Sequence, residues 1–376
     1  MRLRRWFESS LDDGLIASAR QEGRLTVIGL PREWCGCGAL IDSFKAKYGL
    51  TVTDLMPDAT SAGQIKVLKA SRDDRTLPAP DVIDVGLSFG SAAKQEGLLQ
   101  PYKASRWSTI PITAKDADGF WCGHYYGMLS FEINATAVKN APRDWPDLLK
   151  PEYESAVALA GHPLTANQAI LAVYAAGLSV GGSREHAATD GLKFFAELAR
   201  RGNLVPFVGT SQLLALGVTP ILIRWDYLAL GDRDRFAGTP KIEVVTPKTG
   251  RVGGIYVQGI SATAAHPNAA KLWMEHLYSD DSQLTWLQGY CRPIRFGNLV
   301  QTRKVPAELL EQLPEIGKGT PDEPVFPTVE EQERAREIIL KGWDDIIGVK
   351  FRCEPPERPR PPTSLIDTPH RHSIPS

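Results

Sequence analysis

The sequence predicts an α/β protein of two domains, and three observations predict it. The chain has 376 residues, more than one hydrophobic core of ordinary size organises. Strand-like and helix-like segments alternate along most of its length, as in sheets flanked by helices. That alternation breaks once, at "GHYYGMLSFEINATAV" (123–138), a longer and more polar strand, and then restarts.

Taken in order, a helix closes at Gly23 ("LIASARQEG") and "RLTVIGL" follows as a buried strand. Leu40, Phe44 and Tyr48 lie four residues apart on one helix face, stopped by Gly49. "TVTDLM" reads as a second strand, and "SAGQIKVLKASRDD" as a helix with Ser61 as its N-cap. "PDVIDVG" is a third strand, followed by the short helix "SAAKQEG". Repetition of this kind predicts parallel strands. After the break come strand "SAVALAG", helices "TANQAILAVYAAGL" and "HAATDGLKFFAELARRGN", then strands "TPILIRW", "KIEVVTP" and "GGIYVQGISA". From "HPNAAKLWMEHLYSDDSQLTWLQGY" onward the pattern is helical, ending in "TVEEQERAREIILKGWDDII". That helical stretch has no strands of its own, so it must pack on a sheet already built. The division expected is an N-terminal extension (1–11), a discontinuous first domain (12–128 with 255–348), a second domain (129–254), and a Pro-rich disordered tail (351–376) holding His370 and His372.

Composition narrows the function. A formal net charge of −1 points to neither nucleic acid nor an anionic membrane surface. No run approaches the roughly 20 apolar residues of a membrane span. The basic start "MRLRR" lacks the apolar segment of a signal peptide, since Glu8, Asp12 and Asp13 interrupt it. Five cysteines, at 35, 37, 122, 291 and 353, form no complete disulfide framework, and the Cys35/Cys37 spacing is not that of a zinc knuckle; buried thiols are the simpler reading.

Among catalytic motifs, "GLSFG" (86–90) satisfies G-x-S-x-G between a strand and a helix. It would make Ser88 the nucleophile of a serine hydrolase, with Asp226 and then His266 or His276 following in the required chain order. No HGGG-like oxyanion segment precedes it. "GCGALI" (36–41) lacks the third glycine of a dinucleotide fingerprint, and neither a phosphate-binding P-loop nor HExxH occurs.

The stronger signal is a set of polar and aromatic residues at strand ends, where open α/β sheets bind ligands near helix N-termini. The loops "LPREWCG", "MPDATSAG", "VGLSFG", "AGHPLTA" and "RWDYLA" supply Trp34, Asp58, Ser61, Ser88, Thr165, Arg224, Trp225, Asp226 and Tyr227, and Tyr256 joins them from "GGIYVQGISA". Trp225 and Tyr227 would stack on an apolar or cationic ligand, at about 0.5–2 kcal/mol each for a cation, with Asp226 balancing an amine. Rim burial for the aromatics and helix capping for the aspartate are the ordinary alternatives.

The segments "EGRLTVIGL", "DVIDVGLSFGSAAKQEGLLQPYK", "YYGMLSFEINATAVKNAPRDWPDLLKPEY", "WMEHLYSDDSQLTWLQGYCRPIRF" and "VPAELLEQLP" resemble the extracellular solute-binding proteins of ABC importers, over about residues 12–345. The branch is the one that handles ferric iron, polyamines, thiamine and aminoethylphosphonate. The resemblance implies a type II periplasmic-binding-protein fold, each domain a mixed sheet flanked by helices, joined by a two-strand hinge at "YYGMLSFEIN" and "GGIYVQGISA". It implies a periplasmic monomer that binds a small solute without chemistry, needs no cofactor or metal, and delivers its solute to membrane permease subunits by hinge closure. Iron binders of this family carry adjacent tyrosines where this chain has Trp225-Asp226-Tyr227. That departure argues against ferric iron and for an organic cation such as a polyamine, or for a zwitterionic aminophosphonate held also by Arg224, Ser61 and Thr165.

Overall fold

The computed structural model describes residues 13–312 and 324–355. The N-terminal extension, the tail from 356 with His370 and His372, and the end of "VPAELLEQLP" lie outside the described residues. The strands are β1 (Arg24–Val27), β2 (Thr51–Asp54), β3 (Val82–Gly86), β4 (Leu99–Gln100), β5 (Cys122–Asn134), β6 (Val157–Leu159), β7 (Ile221–Trp225), β8 (Ile242–Val245), β9 (Gly253–Ser261) and β10 (Arg292–Pro293). The helices are α1 (Asp13–Glu22), α2 (Cys37–Tyr48), α3 (Ser61–Asp73), α4 (Leu87–Gln95), α5 (Asn167–Ser179), α6 (Ala187–Arg200), α7 (Ser211–Ala215), α8 (Asp226–Phe236), α9 (Pro267–Leu277), α10 (Asp280–Gln288), α11 (Phe296–Gln301), α12 (Ala307–Glu311) and α13 (Val329–Ile347).

Strand β5 organises the molecule. Its first half, Cys122 to Met128, pairs antiparallel with β9, which in turn pairs antiparallel with β3. Its second half, Leu129 to Ile133, pairs antiparallel with β7, and β7 runs parallel to β6. One 13-residue strand therefore passes from a first sheet into a second, with the change of partner at Met128–Leu129. The return crossing lies just before β9, where the Leu129 N–H donates to the Val252 carbonyl at 3.0 Å. Strands β1 and β2 form a two-stranded parallel sheet of their own, as the alternation predicts, but β3 meets an antiparallel neighbour because its partner returns from the second sheet rather than from a helical crossover.

Local signals set most boundaries. Leu40, Phe44 and Tyr48 bury one face of α2, and Gly49, at φ 75°, takes the left-handed turn that ends it. Thr328 and Glu331 form a capping box that starts α13. The α5–α6 pair crosses so closely that a Cβ on Gly177 would stand 1.8 Å from the Ala187 carbonyl oxygen, and one on Gly191 1.9 Å from that of Val173. Only glycine permits that approach.

Three expectations are corrected. The cap of α3 is Thr60, whose hydroxyl accepts the Gly63 N–H, while Ser61 is the first helical residue. Helix α4 begins at Leu87 rather than Ser91, so "GLSFG" lies within a helix start. Residues 351–355 are not a loose tail: Phe351 packs edge-on against Trp343 and His162, and the Arg352 backbone bonds to Pro206 and Val208.

Candidate ligand-binding cavity

Between the two sheets, at the C-terminal ends of β1, β2, β3, β6 and β7, lies a cavity of about 960 Å³. Ligand pockets span roughly 300–1,000 Å³, so this one holds a metabolite with room for water. The first-sheet wall carries Trp34, Asp58, Ser61, Asp84 and Tyr125. The opposing wall carries Thr165, Asn167, Arg224, Tyr227 and Asp232, with Tyr256 between them and Cys353 at the edge.

Two helix N-termini face each other there, and they differ. The start of α3 is already satisfied: its Ala62 N–H donates to the Thr165 carbonyl of the opposite wall at 3.4 Å, and the Ser61 hydroxyl accepts the Gly86 N–H at 3.1 Å. The start of α5 is open. Its N-cap, Ala166, has no capping side chain; the Ala169 N–H turns back to the Ala166 carbonyl at 3.1 Å, which leaves the Asn167 and Gln168 N–H groups without an intrahelical acceptor. The Asn167 side chain is buried, and its amide lies beside the Tyr256 hydroxyl, whose phenolate it favours, without closing a well-formed hydrogen bond there. Gly86 makes room for it: a Cβ there would stand 2.2 Å from the Asn167 Cγ. A donor-rich surface at the positive end of a 13-residue helix favours an anion.

The floor is aromatic. Tyr125 and Tyr256, cross-strand partners on β5 and β9, stack with ring centroids 5.3 Å apart, and Tyr227 meets Tyr125 edge-on at 5.6 Å. Burial raises all three phenol pKa values above their ordinary range, so each enters the site as a neutral phenol. Arg224 reaches the cavity from β7, with its Nη1 donating to Glu132 at 3.0 Å, Asp232 at 2.8 Å and Ser211 at 3.0 Å. Desolvation pushes the Glu132 carboxyl up to about 7 despite the opposing pull of Arg224.

Of the residues singled out in the sequence, Trp34, Asp58, Ser61, Thr165, Arg224, Tyr227 and Tyr256 line the cavity, and Ser88, Trp225 and Asp226 do not. Consecutive strand residues leave opposite faces, so with Arg224 toward the cavity, Trp225 points into the hinge. Its ring sits where a Cβ on Gly254 would be 2.2 Å away, and its Nε1 donates to the Tyr256 hydroxyl at 3.2 Å. Asp226 turns inward as α8 begins. Its Oδ1 accepts the Met128 and Tyr227 N–H groups, each at 2.9 Å, and its Oδ2 pairs with Arg292 at 2.7 Å. Its charge is thus spent on the hinge and on its own helix, not on an amine. Ser88 is buried in the first turn of α4. His266 Nδ1 lies 2.9 Å from Asp81 and His276 Nε2 lies 3.0 Å from the Ser43 hydroxyl, so the groups a hydrolase triad would need are each engaged elsewhere.

Sequence reasoning missed Asp84, Tyr125 and Asn167. Asp84 carried one legible signal, a carboxylate inside the otherwise apolar "VIDVG". Cys35, Cys37, Cys122 and Cys291 are buried thiols. Among the described residues no group of three or more His, Cys, Asp or Glu side chains is arranged to hold a metal ion, and no helix is long and apolar enough to cross a membrane.

Two lobes joined by a shared strand, with a solute-sized cavity between them, are the architecture of a two-lobed binding protein. The profile of the bacterial extracellular solute-binding protein family matches residues 78–314, and the chain belongs to that family. Solved structures of similar fold include the periplasmic binding protein AfuA of Actinobacillus pleuropneumoniae, at TM-score 0.68 and 19% identity, covering 87% of this chain and 99% of that one. The ferric binding protein of Campylobacter jejuni is similar at TM-score 0.63 and 19% identity, over 86% and 99%; together they establish a type II periplasmic-binding-protein fold. A Sinorhizobium fredii protein named as a candidate ABC transporter periplasmic-binding protein is 36% identical over 111 residues, 26% of this chain and 30% of that protein. A Salmonella typhimurium protein named as a candidate 2-aminoethylphosphonate-binding periplasmic protein is 29% identical over 114 residues, 30% of this chain and 31% of that protein. The matched stretch thus spans under a third of either curated relative.

Proposed function

We propose that the protein captures a small solute bearing a phosphonate or phosphate together with an amine, outside the cytoplasm, and hands it to the permease of an ABC importer. The observation that carries this reading is the open start of α5, which has no capping side chain and whose first residue, Asn167, lines the cavity beside Tyr256. A tetrahedral anion with several acceptor oxygens satisfies such a surface; a polyamine, which only donates, does not. The polyamine reading also loses the residue it leaned on, because Asp226 is paired with Arg292. The 29% identity to a candidate 2-aminoethylphosphonate binder points the same way, over the stretch it covers.

Release and capture follow from the shared strand. The lobes turn about β5 near Met128–Leu129 and the return crossing before Gly253, which opens and closes the cavity. The closed form is then the one the permease recognises.

The test is titration with 2-aminoethylphosphonate, spermidine and ferric citrate, read by the fluorescence of the nine tryptophans and by calorimetry. Saturable binding of the aminophosphonate at micromolar affinity, worth about −8 kcal/mol, is the expected result. Saturation by spermidine or ferric citrate with no response to the aminophosphonate overturns the reading.

A further inference from the structure

Resting on that reading, we infer that Asp84 is the carboxylate that receives the solute's ammonium group, with the Tyr125–Tyr256 stack as its aromatic wall. The pairing register puts these three side chains on one face of the first sheet. Asp84 lies opposite Gln258 on β9, and Gly86 lies opposite Tyr256. Tyr256 in turn lies opposite Tyr125 on β5. Directly opposed residues share a face, as do residues two apart on one strand.

The register on β5 is set by an irregularity between Gly123 and Tyr125. His124 is the extra residue there, and its Nε2 lies 3.2 Å from the Asp84 Oδ2. Gln258 Nε2 approaches the same oxygen at 3.4 Å. Both neighbours therefore lie on Oδ2, and Oδ1, fully buried, has no hydrogen-bond partner.

The strand itself is held firmly. Gln64 brackets the Asp84 backbone, accepting its N–H at 2.9 Å and donating to its carbonyl at 2.6 Å. Asp84 lines the cavity from a firmly held strand, and a small shift of its buried side chain would offer the oxygen short of a donor to a ligand's N–H. The neutral phenol faces beside it favour a cation.

The other carboxylates on the cavity are less suited. Asp232 already serves both Arg224 and Arg235, and Glu33 and Asp58 are exposed at the mouth, where water weakens their pull. Asp84 and the start of α5 come from different lobes and meet where Asn167 packs over Gly86, so an acidic group and a donor group line one cavity. Amine and phosphonate are thereby recognised separately, and the site selects a zwitterion over either charge alone.

The experiment compares wild type, Asp84→Asn and Asp58→Asn for binding of 2-aminoethylphosphonate, ethylphosphonate and putrescine. Asp84→Asn is expected to lower aminoethylphosphonate affinity roughly 10- to 100-fold, the range for a hydrogen bond to a charged group. Ethylphosphonate, which lacks the amine, is expected to bind wild type and Asp84→Asn alike, which also shows that the variant is folded. Equal loss of both phosphonates in Asp84→Asn, or loss of discrimination in Asp58→Asn instead, overturns the assignment. If wild type binds putrescine but no phosphonate, the phosphonate reading fails, and the Asp84 assignment stands only if Asp84→Asn abolishes putrescine binding. Binding of none of the three by wild type overturns both.

Discussion

Replacing Asp226 by Ala separates two roles that the sequence alone leaves confounded. The Asp226 carboxylate accepts two backbone N–H groups, from Met128 on the hinge strand and from Tyr227 at the start of α8, and it pairs with the buried Arg292. Removing one partner of a buried ion pair costs about 3–5 kcal/mol. Each backbone donor left behind was bonded to a charged group, an interaction worth about 1.5–3 kcal/mol; these losses overlap, and about 4 kcal/mol is the figure expected for the whole. Urea unfolding followed by tryptophan fluorescence reads it directly. With a slope of ~3 kcal/mol per molar, the upper part of the usual range, the midpoint falls by roughly 1 M or more. Asp226→Asn, which keeps one acceptor oxygen, is expected to lose less. A midpoint within about 0.3 M of wild type, together with abolished solute binding, would refute the reasoning and return Asp226 to the cavity.

Three further outcomes follow from the same geometry. Glu132 titrates at about 7 in the fold against an ordinary value of 4.5, so between those values the folded state holds more protons than the unfolded one and stability falls as pH rises. The difference in unfolding free energy between Glu132→Gln and wild type should therefore shift in the variant's favour by up to ~3 kcal/mol from pH 4.5 to 7.5; a pH-independent difference would be inconsistent with it. Phe351→Ala removes a 5% exposed ring that packs on Trp343 and His162, and thermal unfolding should show a loss of about 3–5 kcal/mol, whereas a freely moving tail predicts none. A fluorophosphonate probe should leave Ser88 unlabelled, because the hydroxyl is buried in a helix turn; mass spectrometry of the treated protein checks it.

Local chemistry was legible where one residue type settles one conformation. Gly49 ends α2 because a left-handed turn needs glycine, and the Thr328–Glu331 capping box starts α13 by satisfying helix donors within one turn. The long strand at 123–138 was legible as a break in rhythm, and β5 is indeed the element both sheets share. The site was half legible. Polar residues in loops at strand ends faced the cavity, as the geometry of open sheets requires, and this held for Trp34, Asp58, Ser61, Thr165 and Arg224. It failed at the strand-to-helix junction, where one residue of offset turns Trp225 and Asp226 away from the wall that Arg224 and Tyr227 line.

By itself, then, the sequence determined the alternation of elements, the crossing strand, the helix stops and the family to which the chain belongs, because each depends on neighbours in the chain or on a pattern carried along it. Which of Asp84 and Asp226 lines the cavity was decided only by tertiary structure. Asp84 sits inside an apolar strand and Asp226 just past the end of one, and neither position by itself says which charge is already paired. Arg292, 66 residues away from Asp226 in sequence, claims that carboxylate, while Asp84, on β3 paired with β9, lines the cavity and keeps one buried oxygen without a hydrogen-bond partner. A charge's role is set by what lies within a few ångströms of it, and here those neighbours come from distant parts of the chain.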